Sequence, residues 1–231
     1  MPDLRKLYEA ILSGDAKSAV AVTREALAEN ADPLELVSQF MVPAMDEVGK
    51  RFECEEYFVP ELLISARAMK GALELLRPLL AARGAEPLGR VAIGTVKGDL
   101  HDIGKNLVGS LLEGGGFEVI DLGSDVAPEK FVAAVREKGA NIVALSALLT
   151  VTMPSMKTTI EALRQAGVRE GVKVIVGGAP VTEQYAREIG ADGYGDNATA
   201  AVALARRLMG RQTTEVPSEG AMAIEGHWDV T

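Results

Sequence analysis

The chain has 231 residues, 48% of them hydrophobic and 25% charged, which is enough apolar material for the cores of two globular domains. A formal net charge of -9, with no run of Lys and Arg, speaks against any general affinity for nucleic acid. A single cysteine, Cys54, excludes a disulfide-stapled scaffold; with no secretory pattern in MPDLRKLYEA and no apolar run of the about 18–20 residues that cross a bilayer, a cytoplasmic protein is expected.

Residues 1–82 read as helix. Leu4, Leu7, Ile11 and Leu12 recur at helical spacing. Gly14-Asp15 then breaks the chain, and Asp15 can cap a second helix carried by Ala19, Val20, Val22, Ala26 and Leu27. After a turn from Asn30 to Pro33, apolar positions from Leu34 to Val48 mark a third helix over 33–50. Leu62, Leu63, Ala66, Met69, Ala72, Leu73, Leu75 and Leu76 mark a fourth. Four amphipathic helices with short connections predict an all-α, antiparallel four-helix bundle.

Gly84, Pro87 and Gly89 punctuate residues 83–90, read as a linker. Beyond it the period changes. Short β-branched runs at 91–96, 117–123, 141–148 and 172–178, and a short strand-like Asp-Gly-Tyr-Gly at 192–195, alternate with helical stretches at 103–114, 128–138, 153–166, 182–189 and 198–209. This alternation predicts an α/β domain over 91–210: a flavodoxin-like (Rossmann-like) five-stranded parallel sheet in the order 2-1-3-4-5. Residues 211–231, with Pro217, Gly220 and Gly226, show no periodicity. They read either as a mobile tail or as a docking segment anchored by Trp228.

In such a sheet a ligand sits beyond the strand ends at the switch point, here between strands 1 and 3. The loop after strand 1 runs Lys97-Gly98-Asp99-Leu100-His101-Asp102-Ile103-Gly104-Lys105-Asn106. The chain's other histidine is His227. A neutral imidazole is a good ligand for a transition metal, and a carboxylate two residues away can fix its tautomer and raise its basicity. Gly98 and Gly104 allow close backbone approach. On the alternative reading Asp99 and Asp102 cap the next helix and His101 is merely exposed. No G-x-x-x-x-G-K-[ST] or G-x-G-x-x-G phosphate motif follows this strand. The loop after strand 3, Ser146-Ala147-Leu148-Leu149-Thr150-Val151-Thr152, interleaves three hydroxyls with apolar residues, and Gly177-Gly178 closes strand 4.

The three elements in this order, D-x-H-x-x-G at 99–104, S-x-L at 146–148 and G-G at 177–178, resemble the fingerprint of the cobalamin-binding domain family over residues 89–210. Residues 1–82, with MDEVGKRFECEEYFVPELLISARAMK at 45–70, resemble the helical cap that precedes this domain in cobalamin-dependent methyltransferases. Radical mutases carry the binding domain without the cap, so the pairing points to methyl transfer. The resemblance implies a cobalamin or related corrinoid whose cobalt takes His101 as its metal ligand in place of the cofactor's own base. It implies a relay of His101, Asp99 and Thr152, the last standing where the family has a serine. It implies that Gly98, Leu100, Asp102, Ile103 and Gly104 surround the ligand loop, while Ser146, Leu148, Thr150, Gly177 and Gly178 line a slot for the nucleotide tail.

From the cap, Phe58 and one of Val59, Leu62 or Leu63 either cover the methyl-bearing face or are bundle core; Leu62 is the one carried forward with Phe58. Pro60 and the linker are candidate hinges, and Cys54 lacks a partner that would make it a nucleophile. The implied function is a methyl carrier that is not catalytic alone. Cobalt(I) accepts a methyl group from a methylamine, a quaternary amine or betaine, methanol or a methoxyaromatic by way of a substrate:corrinoid methyltransferase. The methylcobalamin form hands it to a corrinoid:acceptor methyltransferase using tetrahydrofolate or a thiol, with a reductive activase as a further partner. The alternative is a cobalamin-responsive regulator; those carry a DNA-binding domain and a cap tryptophan, whereas the one tryptophan here is Trp228.

Overall fold

The computed structural model describes residues 4–84 and 86–210. His227, Trp228 and the whole 211–231 tail, with both readings of it, lie outside the described residues.

The bundle begins with α1 (Arg5–Leu12), which buries Leu7, Ala10 and Ile11. Helix α2 (Ala16–Ala28) starts where expected: Asp15 Oδ1 accepts from the amides of Lys17 and Ser18 at 3.1 and 3.0 Å, filling two of the orphan donors of a helix start. The third predicted helix is built in three registers: α3 (Pro33–Glu35), a π-helical turn over Leu36–Met41, and α4 (Val42–Glu53). Pro43 has no amide for a helical bond to the Gln39 carbonyl, and the Val42 amide reaches back five residues to Val37 instead. Helix α5 (Val59–Ala82) opens with Glu61 Oε2 accepting the Phe58 amide at 2.9 Å, and Pro60 stands in the first turn, where a missing N–H costs nothing. Its small residues Ala66, Ala68, Gly71 and Ala72 allow close packing, with Gly71 set against Val20 of α2. Tyr57 and Ser65 both donate to the Leu12 carbonyl at 3.2 Å, satisfying the end of α1.

Then follow β1 (Arg90–Thr95), α6 (Ile103–Gly114), β2 (Glu118–Asp121), α7 (Pro128–Lys138), β3 (Ile142–Ser146), α8 (Pro154–Gln165), β4 (Lys173–Gly177), α9 (Glu183–Ile189), β5 (Gly193–Gly195) and α10 (Ala198–Leu208). All neighbouring strands run parallel, in the order β2-β1-β3-β4-β5. Alternate residues of the strands enter opposite cores. Ala92, Val143, Leu145 and Val176 pack with Phe131, Met156 and Ile160, whereas Val91, Ile93, Ala144 and Ile175 pack with Leu112, Phe117 and Leu204. The register pairs Thr95 with Ser146, Ser146 with Gly177, and Gly177 with Gly195, so four strands end level and their loops emerge side by side.

The bundle lies against α6 and α10. Leu111 and Ala198 join its apolar core, and Met45 packs on Gly114. Around this seam Arg206 pairs with Asp46 and reaches the Gly115 carbonyl, Lys70 pairs with Glu113 at 2.9 Å, and Thr199 donates to Glu53 at 3.1 Å.

Candidate functional site

The loop after β1 is tied down peptide by peptide. Ser155 Oγ donates to the Lys97 carbonyl at 3.0 Å, the Asp99 amide to the Val96 carbonyl at 3.1 Å, and Thr95 Oγ1 to the His101 carbonyl at 2.8 Å. Gly98 has φ +87°, a conformation side chains resist, although a Cβ there would meet only Thr152 Cγ2, at 3.7 Å. That distance also disposes of the extra methyl of Thr152 as an obstacle: it has room beside Gly98.

Asp99 is fully buried, and its carboxylate gathers the neighbourhood. Oδ1 lies 2.8 Å from His101 Nδ1 and accepts the His101 amide at 3.1 Å. Oδ2 accepts the Thr152 hydroxyl at 2.7 Å and the amides of Leu148 and Leu149 at 2.8 and 3.3 Å. Burial alone would raise its pKa. The Thr152 hydroxyl, the Leu148 amide and the His101 ring and amide outweigh that, holding the carboxyl well below the usual carboxylate range. Asp99 therefore does not cap α6, and Asp102, at the cap position, makes no side-chain capping bond. An ionised Asp99 calls for the proton on Nδ1, which leaves the Nε2 lone pair on a half-exposed ring, with no hydrogen bond among the described residues.

Around His101 stands an exposed apolar rim of Leu100, Ile103, Leu148, Leu149 and Val151, with Ile103 84% and Val151 79% exposed. Beside it opens a cavity of about 350 Å³, walled by Gly104 and Lys105 of α6, by Ser146, Gly177 and Gly178 at the strand ends, by Asn197 before α10, and by Phe52 of α4. A Cβ at Gly104 would point into open space. Gly177 and Gly178 have a second reason to be glycine. A Cβ on the first would stand 2.9 Å from the Gly195 carbonyl; on the second, at φ +128°, it would overlap the Ala147 carbonyl.

The structure thus brings Asp99, His101 and Thr152 together and sets Ser146, Gly177, Gly178 and Gly104 around one cavity. Leu148 and Thr150 do not line it: Leu148 serves Asp99 through its amide and lends its side chain to the rim, and Thr150 is exposed. Leu62 is a correction. It has no exposed surface and belongs to the apolar core of the bundle; Phe58, Val59 and Leu63 are the exposed ones. Several wall residues escaped the sequence reading, Phe52, Lys105 and Asn197 among them. Phe52 looks like any amphipathic-helix position. Lys105 has a buried ammonium 2.6 Å from both Asp121 oxygens, and nothing in its spacing announces burial. Cys54 is exposed at the end of α4.

Among the described residues no group of three or more His, Cys, Asp or Glu is placed to hold a free metal ion. A lone imidazole with an oriented lone pair, an apolar rim and an adjoining cavity fits a metal whose other positions a large macrocycle fills. Comparison with known proteins agrees. The family described as "B12 binding domain" matches residues 89–203, and a second family of the same description matches residues 3–77. A corrinoid protein of Desulfitobacterium hafniense is 41% identical over 211 residues, 90% of this chain and 98% of that one.

The chain belongs to the corrinoid proteins.

Its cofactor is a corrinoid. The family also includes the trimethylamine corrinoid protein of Methanosarcina barkeri, 45% identical over 202 residues, covering 87% of this chain and 93% of that one. In three dimensions the chain matches the methanol:cobalamin methyltransferase complex of Methanosarcina barkeri with a TM-score of 0.80 and 28% identity, over 91% of this chain and 81% of the matched chain. Among the described residues no helix is long and apolar enough to cross a membrane.

Proposed function

We propose that this corrinoid protein is a methyl carrier between two partner methyltransferases, with His101 as its ligand to cobalt. The observation that carries the reading is the buried Asp99, which binds Nδ1 of His101 and so leaves Nε2 for a metal. A bound corrinoid supplies the cobalt that takes up and hands on the methyl group. The chain's own residues do the rest. Asp99 fixes the imidazole tautomer and orientation, and Thr152 and the Leu148 amide hold Asp99 anionic. The apolar rim gives the ring a surface to lie on, and the cavity beside Ser146, Gly177 and Gly178 takes the nucleotide tail. Residues 1–82 act as the cap, 83–90 as its connection and 91–210 as the binding domain, with Phe58, Val59 and Leu63 the apolar side chains available above the ring.

The trimethylamine corrinoid relative favours a methylated amine as donor and a methylamine:corrinoid methyltransferase as first partner. The acceptor enzyme, with tetrahydrofolate or a thiol, and a reductive activase complete the proposed set. The names of the relatives favour the carrier over a cobalamin-responsive regulator.

Loading the protein with hydroxocobalamin and reducing it to cobalt(II) tests the ligand. About one corrinoid per chain and a nitrogen splitting in the EPR spectrum, lost in His101→Ala, are expected. A splitting that stays a triplet when the unchanged protein is labelled with 15N-histidine comes from the cofactor's own base and rules out His101. A panel of methylamines, betaine, methanol and a methoxyaromatic, offered with the cognate methyltransferase, tests the role; no methyl uptake from any of them by the loaded, reduced protein would sink the carrier reading.

A further inference from the structure

One anchor of the His101 loop comes from an element that touches neither the cavity nor the Asp99 carboxylate. Asp125 lies between β2 and α7, at φ +53°, a left-handed conformation that few side chains other than Asn and Asp adopt readily. Its Oδ1 accepts the Gly98 amide at 2.8 Å, and its own amide donates to the Asp99 carbonyl at 2.8 Å. It therefore grips the backbone on both sides of the Asp99 Cα. Its Oδ2 pairs with Lys97 Nζ at 3.0 Å in an exposed contact, of the kind that contributes little. The next residue fixes Asp125 in turn: the Val126 amide donates to the Thr95 carbonyl at 2.9 Å, and Val126 forms a parallel bridge with Val96. The β2–α7 turn is thus welded to β1 at one point, and Asp125 carries that rigidity into the loop.

We propose that Asp125 is a positioning residue for the cobalt ligand. By holding Gly98 and the Asp99 carbonyl it sets where the Asp99 carboxylate stands, and through that carboxylate how firmly His101 is presented. The inference rests on the reading of His101 as the ligand.

The test uses Asp125→Gly, which removes the acceptor while leaving the left-handed backbone unstrained, and Asp125→Asn, which keeps an acceptor oxygen and tolerates the same φ. Lys97→Met removes only the exposed ion pair. Each full-length protein, labelled with 15N-histidine, is loaded with hydroxocobalamin and reduced to cobalt(II), and the share of histidine-ligated cobalt is read from the 15N doublet in EPR, which the cofactor's own base does not give. In Asp125→Gly the ratio of ligated to unligated cobalt should fall about 10-fold, the lower end of what loss of an outer-shell support costs a metal site. Asp125→Asn should restore it to within about 2-fold, and Lys97→Met should leave it unchanged. In the ligand-free protein, faster hydrogen exchange at the Gly98 amide, with core strands β1 and β3 still protected, shows that the loop and not the fold has loosened. An undiminished doublet in Asp125→Gly overturns this inference alone. Absence of the doublet in the unchanged protein overturns the ligand reading and this inference with it.

Discussion

Asp99 is a buried carboxylate with no Lys or Arg on it among the described residues. Its charge is carried by neutral donors: a hydroxyl and three amides from two separate loops. Thr152 is the one side-chain hydroxyl of that set, and its removal would leave Oδ2 on the amides alone. Thr152→Val should destabilise the ligand-free protein by about 2 kcal/mol, the usual worth of a hydrogen bond to a charged group. Thr152→Ser should stay within about 0.5 kcal/mol, since the methyl only fills space beside Gly98. Urea unfolding monitored by circular dichroism separates the two; no loss in Thr152→Val would mean that the hydroxyl is incidental, and an equal loss in Thr152→Ser that the methyl packs as strongly as the hydroxyl bonds. The Asp99–His101 pair was legible because its members lie two residues apart and one of them is a histidine at a strand end. The amides of Leu148 and Leu149, the hydroxyls of Thr95 and Ser155, and Asp125 were not, because their role follows from register across the sheet and leaves no trace in local spacing. Leu62 failed for a related reason: helical periodicity says which residues share a face, and the face beside Phe58 could be assigned either to the core or to a ligand.

Among the elements, the sheet was the most readable part. Strands buried on both faces are continuous β-branched runs, crossovers are helical, and one chirality rule reduces the orders to a few. Strand order and helix positions followed, and α6 and α7 begin and end at the expected residues. The third bundle helix was less so. Pro43 is plain in the sequence, but whether a proline ends a helix or is absorbed by a π-helical turn depends on what the neighbouring turns pack against. Gly178 shows the opposite case, where a weak local signal hides a strict requirement. Its backbone lies at φ +128° and its α-carbon faces the Ala147 carbonyl, so Gly178→Ala meets both conformational strain and overlap with β3's exit. A loss of about 3 kcal/mol or more is expected, of the size that strain and overpacking reach together. Thermal unfolding of the variant beside Gly123→Ala, a glycine also at positive φ but with open space around it, distinguishes overlap from conformational strain.

At the scale of the molecule, the helical bundle meets α6 and α10 along a seam whose polar centre is Arg206 and Asp46. Arg206 is nearly buried and its Nε has no hydrogen-bond partner among the described residues, where the guanidinium is held by Asp46 and the Gly115 carbonyl. Taking away one member of a buried pair costs about 3–5 kcal/mol because the other is left uncompensated. Asp46→Ala should therefore weaken the seam and leave each core intact. Small-angle scattering would show an expanded ligand-free protein, and hydrogen exchange would rise in α4, α6 and α10 but not in β1 or β3; an unchanged profile and exchange pattern would mean that Met45, Leu111 and Ala198 hold the seam by themselves.

Phe52 gives that seam a second meaning. It belongs to α4, yet it forms part of the wall of the cavity between the strand ends and α10. A cap that turned on the 83–90 connection would carry α4 with it, and with α4 one side of the compartment proposed for the nucleotide tail. Opening and retention then share one free energy. Occupancy draws the bundle shut, and prising the bundle open loosens the occupant by the same factor, as linkage requires. A carrier built this way should shed its corrinoid chiefly while it is exposed to a partner enzyme, so that each hand-over is also the moment of greatest leakage.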